Sequence, residues 1–253
     1  MTLVSLPGDG RTLRAHLHRP PGAGPFPAVV WNHGSERAPG AQERLGAFYT
    51  AAGYALLVPH RRGHGRSPGE HFATALADRA RTEPRERIVA SLIEVCELQL
   101  ADTLAATRWL AEQPFVARDR MAMSGVSHGA IQTLLAAESD AGMQAYVPFA
   151  PAAIAWEGNP ELHARLLRAV RQAAAPVFLV QAANDHSLGP SDVLGGELRR
   201  KGGRNRAAVY PPYGRTADDG HGAFACRGMA VWGEDVRAFL GAALEARSAA
   251  PAA

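Results

Sequence analysis

The chain is poor in the residues that mark several large protein classes. Cysteine occurs only at Cys96 and Cys226, without metal or redox spacing, so no disulfide framework and no metal site is expected, and a reducing, cytoplasmic setting fits. Uninterrupted apolar runs fall far short of the ~20 residues that cross a bilayer, so no membrane partner is expected. The opening Met1-Thr-Leu-Val-Ser-Leu-Pro-Gly lacks the basic region and apolar core of a signal peptide. Lysine is nearly absent, Lys201 being the single instance, and the net charge of +3 rests on scattered arginines. The densest basic cluster, Arg199, Arg200, Lys201, Arg204 and Arg206, has no interleaved aromatic rings for base stacking, which argues against a nucleic-acid partner. Internal repeats and linkers are also missing, so residues 1–253 read as a single domain. An Ala-rich tail, Ser248 to Ala253, reads as frayed.

What is present is a regular alternation of strand and helix. Strands are expected at 12–18, 27–33, 54–60, 120–126, 145–150, 176–183 and 206–211. Helices are expected at about 41–52, 86–113, 128–138, 160–174, 190–201 and 228–246. Ala28-Val-Val-Trp31, Tyr54-Ala-Leu-Leu-Val58 and Val177-Phe-Leu-Val180 are continuously apolar, as in strands covered on both faces. This predicts an α/β fold with a mostly parallel central sheet, helices on both faces, and ligands at the carboxyl ends of the strands. Residues 12–18 alternate instead and read as an antiparallel edge strand, with His16 and His18 exposed on one face. The segments 68–90 and 152–175 are longer than a simple crossover requires; the first reads as a solvated excursion, and both are candidate small lids.

The strongest local signal is Gly125-Val-Ser127-His-Gly129 between an apolar strand and an apolar-periodic helix. Glycines permit a tight turn that holds a serine hydroxyl clear of the backbone, and the following helix start offers free amides to a developing oxyanion. With 26 glycines in the chain the five-residue pattern alone is weak, and its partners decide its weight. A serine nucleophile needs a base and an orienting carboxylate. Asp185 follows directly on a buried strand, and His221 sits in the Gly-flanked loop before the last helix, giving the order Ser127, Asp185, His221. His163 reads as a surface or lid residue, and His186 abuts Asp185 too closely to face it. The oxyanion donors are expected to be the backbone amides of His128 and, after the strand ending at Asn32, of Ser35. The His128 side chain reads as a packing or hydrogen-bonding group. Glu36, Phe72, Trp156 and His186 are the expected substrate contacts.

Together with His33-Gly34, the run Arg61-Arg-Gly-His-Gly-Arg-Ser67 and the strand end Ala182-Ala-Asn-Asp185, these motifs resemble the α/β-hydrolase superfamily, closest to its dienelactone-hydrolase-like group. The resemblance covers most of the chain. That group has cysteine at the elbow where this chain has Ser127, which turns the expectation from dienelactones toward general esters. The resemblance implies a cofactor-independent serine hydrolase acting on small to medium soluble esters through an acyl-enzyme. An oligopeptidase-like amide hydrolase and a catalytically silent ligand-binding protein are the alternatives. An edge strand or the last helix offers a surface for a homodimer.

Overall fold

The computed structural model describes residues 1–8, 10–84 and 87–245. Its centre is an eight-stranded sheet in the order β1-β2-β4-β3-β5-β6-β7-β8. The strands are β1 (Thr2–Pro7), β2 (Thr12–His18), β3 (Phe26–Asn32), β4 (Ala55–His60), β5 (Val116–Val126), β6 (Ala145–Phe149), β7 (Phe178–Ala182) and β8 (Arg206–Tyr210). β2 runs antiparallel to both β1 and β4, and every pairing from β4 to β8 is parallel. The helices are α1 (Glu43–Ala51), α2 (Phe72–Thr82), α3 (Ile88–Ala111), α4 (His128–Glu138), α5 (Pro160–Gln172), α6 (Gly189–Lys201), α7 (Phe224–Arg227) and α8 (Met229–Glu245). The Ala-rich tail lies outside the described residues.

Strict alternation of side chains along the strands builds two cores from one sheet. Ala28 and Val30 enter a core that holds Leu110 of α3, Leu134 of α4, Leu166 of α5 and Leu198 of α6. Val29 and Trp31 enter the opposite core with Tyr49 of α1 and Trp232, Val236 and Phe239 of α8. That division explains why residues 28–31, 54–58 and 177–180 are continuously apolar rather than alternating. In the second core Phe149 packs between Trp31 and Trp232, with ring centroids 5.7 and 4.8 Å away, and truncating such a residue to alanine costs about 3–5 kcal/mol.

Three expectations from the sequence are corrected. The edge strand is β1, not residues 12–18; only Leu6 of β1 is buried, so its alternation is too faint to read. β2 lies one place inward, and consequently His18 is buried and His16 half-buried rather than exposed. A methyl group on Gly46 of α1 would fall 2.1 Å from His18 Nδ1, which shows how closely that helix covers the histidine. Finally, part of the segment 68–90 forms α2, a helix with no fully buried residue.

One detail of the sheet is unusual. Pro148 stands inside β6, a central strand, where proline removes a ladder donor. On the side facing β7 the Tyr146 N–H donates to Pro176 O and the Ala150 N–H to Val180 O, each at 3.0 Å. The alternate position between them is Pro148, which has no hydrogen to donate.

Candidate functional site

The segments that follow β3, β5, β6 and β8 converge on one cavity of about 650 Å³, lined by Gly34, Ser35, Glu36, Ser127 and His221 among others. Ser127 occupies the turn between β5 and α4 with φ 56° and ψ −118°, a region that L residues rarely adopt. Its N–H donates to Phe149 O at 3.0 Å, which fixes the turn to β6. The glycines around it are obligatory on steric grounds. A Cβ on Gly129 would lie 2.0 Å from Asn32 O, and one on Gly125 would lie 2.6 Å from Gly129 O. His128 begins α4, so its N–H has no acceptor within the helix.

Asp185 and His221 come together from separate loops. His221 Nδ1 donates to Asp185 Oδ1 at 2.8 Å, with the aspartate side chain fully buried and the ring nearly so. Asp185 is itself held: its Oδ2 accepts from Gln181 Nε2 at 2.8 Å, and its Oδ1 accepts from the His186 N–H at 2.7 Å. The His221 loop is a single π-helical turn, Asp219–Ala223. Asn184 ties it down, accepting from the Tyr213 N–H at 2.8 Å and donating to the carbonyls of Tyr213 and Thr216. With Nδ1 protonated, the neutral ring presents an unprotonated Nε2. That atom is buried and has no hydrogen-bond partner among the described residues.

The β3 end is organised by Arg61, whose side chain is completely buried. Arg61 Nη2 donates to the carbonyls of His33 and Gly34, both at 2.8 Å. In a planar trans peptide the next N–H points opposite to the carbonyl, so the amides of Gly34 and Ser35 are turned away from Arg61. Both residues line the cavity. Burial without a bonded carboxylate lowers the Arg61 pKa to about 10. The neighbouring Arg62 is treated differently: Asp102 of α3 receives its Nε and Nη2 at 2.8 and 2.7 Å in a buried bidentate pair.

Around this loop lies a run of histidine rings. His16 meets His60 at 5.1 Å between centroids, His33 meets His64 at 4.8 Å, and His64 meets His71 at 4.5 Å. Desolvation, with mutual repulsion and Arg61 adding to it, lowers the pKa of His64 to about 3 and holds His33 well below the usual histidine value. His128 is held down likewise, first by desolvation and then by Arg61. These rings are neutral at physiological pH. Among the described residues no group of three or more His, Cys, Asp and Glu side chains is arranged to hold a metal ion.

Of the four residues expected to meet substrate, Glu36 lines the cavity. Its carboxyl folds back toward Gly34, and desolvation there raises its pKa, against the lowering effect of backbone N–H groups and Arg61. The other three have different surroundings. Phe72 packs against His128 with the rings tilted at 55° and their centroids 4.1 Å apart. Trp156 is buried, stacks on His163 at 3.9 Å and lies beneath Gly189. His186 Nε2 bonds Asp218 Oδ1 at 2.9 Å on the outer side of the His221 ring. The remaining cavity wall includes Arg44, Ile154, Cys226 and Arg227, which the sequence did not single out. Burial pushes the Cys226 thiol up to about 12, so it faces the cavity as a neutral group.

The sequence reading also passed over a buried polar stripe on α3 made of Cys96, Gln99, Asp102 and Thr103. Its signal was available in principle, since polar residues three and four apart on the inner face of an otherwise apolar helix require partners. Thr103 donates to Asn32 Oδ1 at 3.3 Å, and Asn32 Nδ2 donates to Thr133 of α4 at 3.2 Å.

A mostly parallel sheet of this order, carrying a strained serine after its central strand and a bonded Asp-His pair after the following ones, defines the α/β-hydrolase fold. The solved structures agree. An esterase from Pyrococcus furiosus, Pf2001, matches with a TM-score of 0.68 at 16% identity, over 96% of this chain and 92% of that one. Est1E from Butyrivibrio proteoclasticus, solved with ferulic acid bound, matches with a TM-score of 0.66 at 19% identity, over 95% and 98%. Dienelactone hydrolase from Anabaena variabilis matches with a TM-score of 0.64 at 19% identity, over 96% and 98%. No curated protein sequence matches significantly. Over residues 9–169 the chain matches the X-Pro dipeptidyl-peptidase (S15) family, and it belongs to that family. The matched region contains Ser35, Arg61 and Ser127 and ends before Asp185 and His221.

Proposed function

We propose that the protein is a serine hydrolase cleaving small to medium carboxylic esters. In this reading Ser127 Oγ attacks the ester carbonyl while His221 Nε2 takes its proton. Asp185 holds the ring in the required tautomer and stabilises the imidazolium that forms. The tetrahedral oxyanion is met by the amides of His128 and Ser35, and His221 then protonates the departing alkoxide. A water molecule, deprotonated by the same nitrogen, releases the acyl group and regenerates Ser127.

The observation that carries the reading is the His221 ring: its Nε2 is buried and without a partner among the described residues, its Nδ1 is backed by Asp185 at 2.8 Å, and it lines the same cavity as the strained Ser127. The resemblance of the fold to esterases and a dienelactone hydrolase supports an ester as substrate. The test is Ser127→Ala assayed on p-nitrophenyl acyl esters, with a fluorophosphonate probe in parallel. Loss of a triad member costs on the order of a thousandfold or more in turnover. Retention of turnover by Ser127→Ala, or the absence of probe labelling in folded parent protein, would sink the reading.

Membership of the S15 family favours a second reading, cleavage of an amide after proline. The same residues would serve, with an amine in place of the alkoxide. An X-Pro p-nitroanilide assayed beside the ester separates the two, and the esterase reading requires a higher kcat/KM on the ester.

A further inference from the structure

The two halves of the oxyanion site come from elements far apart in sequence, the elbow at His128 and the loop at His33 to Ser35, yet one buried side chain touches the support of both. Gln99, on the inner face of α3, is 1% exposed. Its Oε1 accepts from His128 Nε2 at 2.9 Å and from Arg61 Nε at 3.3 Å. Arg61 in turn grips the His33 and Gly34 carbonyls that set the direction of the Ser35 amide. The polarity of the arrangement is unambiguous, because an arginine Nε–H can only donate and so must face an acceptor. Gln99 therefore presents its oxygen, and His128 must carry its proton on Nε2. The other ring nitrogen then accepts from the Cys96 thiol at 3.7 Å, and burial keeps that thiol protonated, with its pKa near 12.

We propose that Gln99 is a positioning residue for the oxyanion site, a brace that sets the distance between its two amide donors. This inference rests on the esterase reading above. An oxyanion forms only in the transition state, so an error in donor spacing lowers kcat and leaves ground-state binding nearly untouched. The side chain stands behind the donors and touches no substrate. The bond from His128 to Gln99 also restrains the first residue of α4, whose backbone follows directly on Ser127.

Gln99→Met keeps the volume and removes the shared acceptor. Gln99→Asn keeps the amide and withdraws it by one methylene. Folding is checked by near-ultraviolet circular dichroism, and each folded variant is compared with the parent for kcat, KM and inhibition by a trifluoromethyl ketone, which mimics the tetrahedral state. The expected result is a drop in kcat of about 10- to 100-fold, given that an error near 1 Å in placement can cost about a hundredfold. KM should stay within about twofold, and the ketone Ki should rise by the same factor as kcat falls. Gln99→Glu, which still offers oxygen to both donors, should recover most of the loss. A folded Met or Asn variant with parental kcat and ketone affinity would overturn the proposal. Should neither fold, Gln99→Glu decides it, since a folded protein with turnover down by a hundredfold or more would contradict a role that an acceptor oxygen is enough to fill. The two readings fail differently. Activity in Ser127→Ala removes the esterase reading and this one with it, whereas a dead Ser127→Ala beside a fully active Gln99→Met removes only the brace.

Discussion

Lowering the pH from 7 to 5 should unfold this protein far more readily than carboxylate titration would suggest. His33, His64 and His128 are buried as neutral rings, His64 with a pKa of about 3 and the other two well below the ordinary 6.5. Each of them binds a proton in the unfolded chain near pH 6.5 and refuses it in the folded one. Their contribution is therefore present above pH 6.5 and is lost as the pH falls toward the folded values. For His64, with its folded value of about 3, the loss between pH 7 and pH 5 is about 1.9 kcal/mol, some two-thirds of it below pH 6, and His33 and His128 add to it in the same direction. A domain of this kind has only about 5–15 kcal/mol to lose. His16, His18, His60 and His71 are lowered too and add to the loss, while the raised pKa of Glu36 acts in the opposite direction. Urea unfolding at pH 7, 6 and 5, followed through buried Trp31 and Trp232, measures it directly. His64→Asn gives an internal control: the amide can replace the Nδ1 bond to Arg62 O at 2.9 Å without titrating, so the loss between pH 7 and pH 5 should shrink by about 2 kcal/mol. Stability at pH 5 within about 1 kcal/mol of that at pH 7 would refute the picture of three neutral buried rings.

Two further outcomes follow from the site geometry. Gly129→Ala forces a methyl group to within 2.0 Å of Asn32 O and 2.4 Å of His33 O, both backbone atoms, so this variant should lose soluble expression or, if folded, all labelling by a fluorophosphonate. Asp185→Asn presents an N–H to His221 Nδ1 and drives the proton to the wrong nitrogen. Its turnover should fall by about a thousandfold or more, and its melting temperature should fall too, because the amide oxygen can keep the Gln181 bond at the Oδ2 position while the His186 N–H loses the Oδ1 acceptor that the amide nitrogen replaces.

The central strands and most of the site were legible in the sequence because each left a pattern that local physics enforces. Strands 27–33, 54–60 and 176–183 carry uninterrupted apolar runs, 28–31, 54–58 and 177–180, since both faces are covered, and they correspond to β3, β4 and β7. The glycines of the elbow, and the placement of Asp185 after a buried strand and His221 between glycines, reflect steric and topological needs that a single chain displays. What escaped was set by partners distant in sequence. β1 buries only Leu6, α2 has no fully buried residue, and His18 reads as exposed until α1 is laid over it. Trp156 and Phe72, plausible as pocket aromatics from their loops, spend their faces on His163 and His128. Gln99 and Asp102 were hidden inside an apolar periodicity, and their presence is explained by partners distant in sequence, His128 and Arg61 for Gln99 and Arg62 for Asp102.

Pro148 gives the site a mechanical asymmetry. The Ser35 and His128 amides and Ser127 all stand on the β3 and β5 side of β6, while Asp185 follows β7 and His221 follows β8, on the other side. The joint between these two groups is the one where Pro148 has no N–H to donate between the bonds at Tyr146 and Ala150. In the esterase reading, the nucleophile with its two amides and the Asp185-His221 pair are thus mounted on separate halves of the sheet, with the proline-bearing seam between β6 and β7 dividing them.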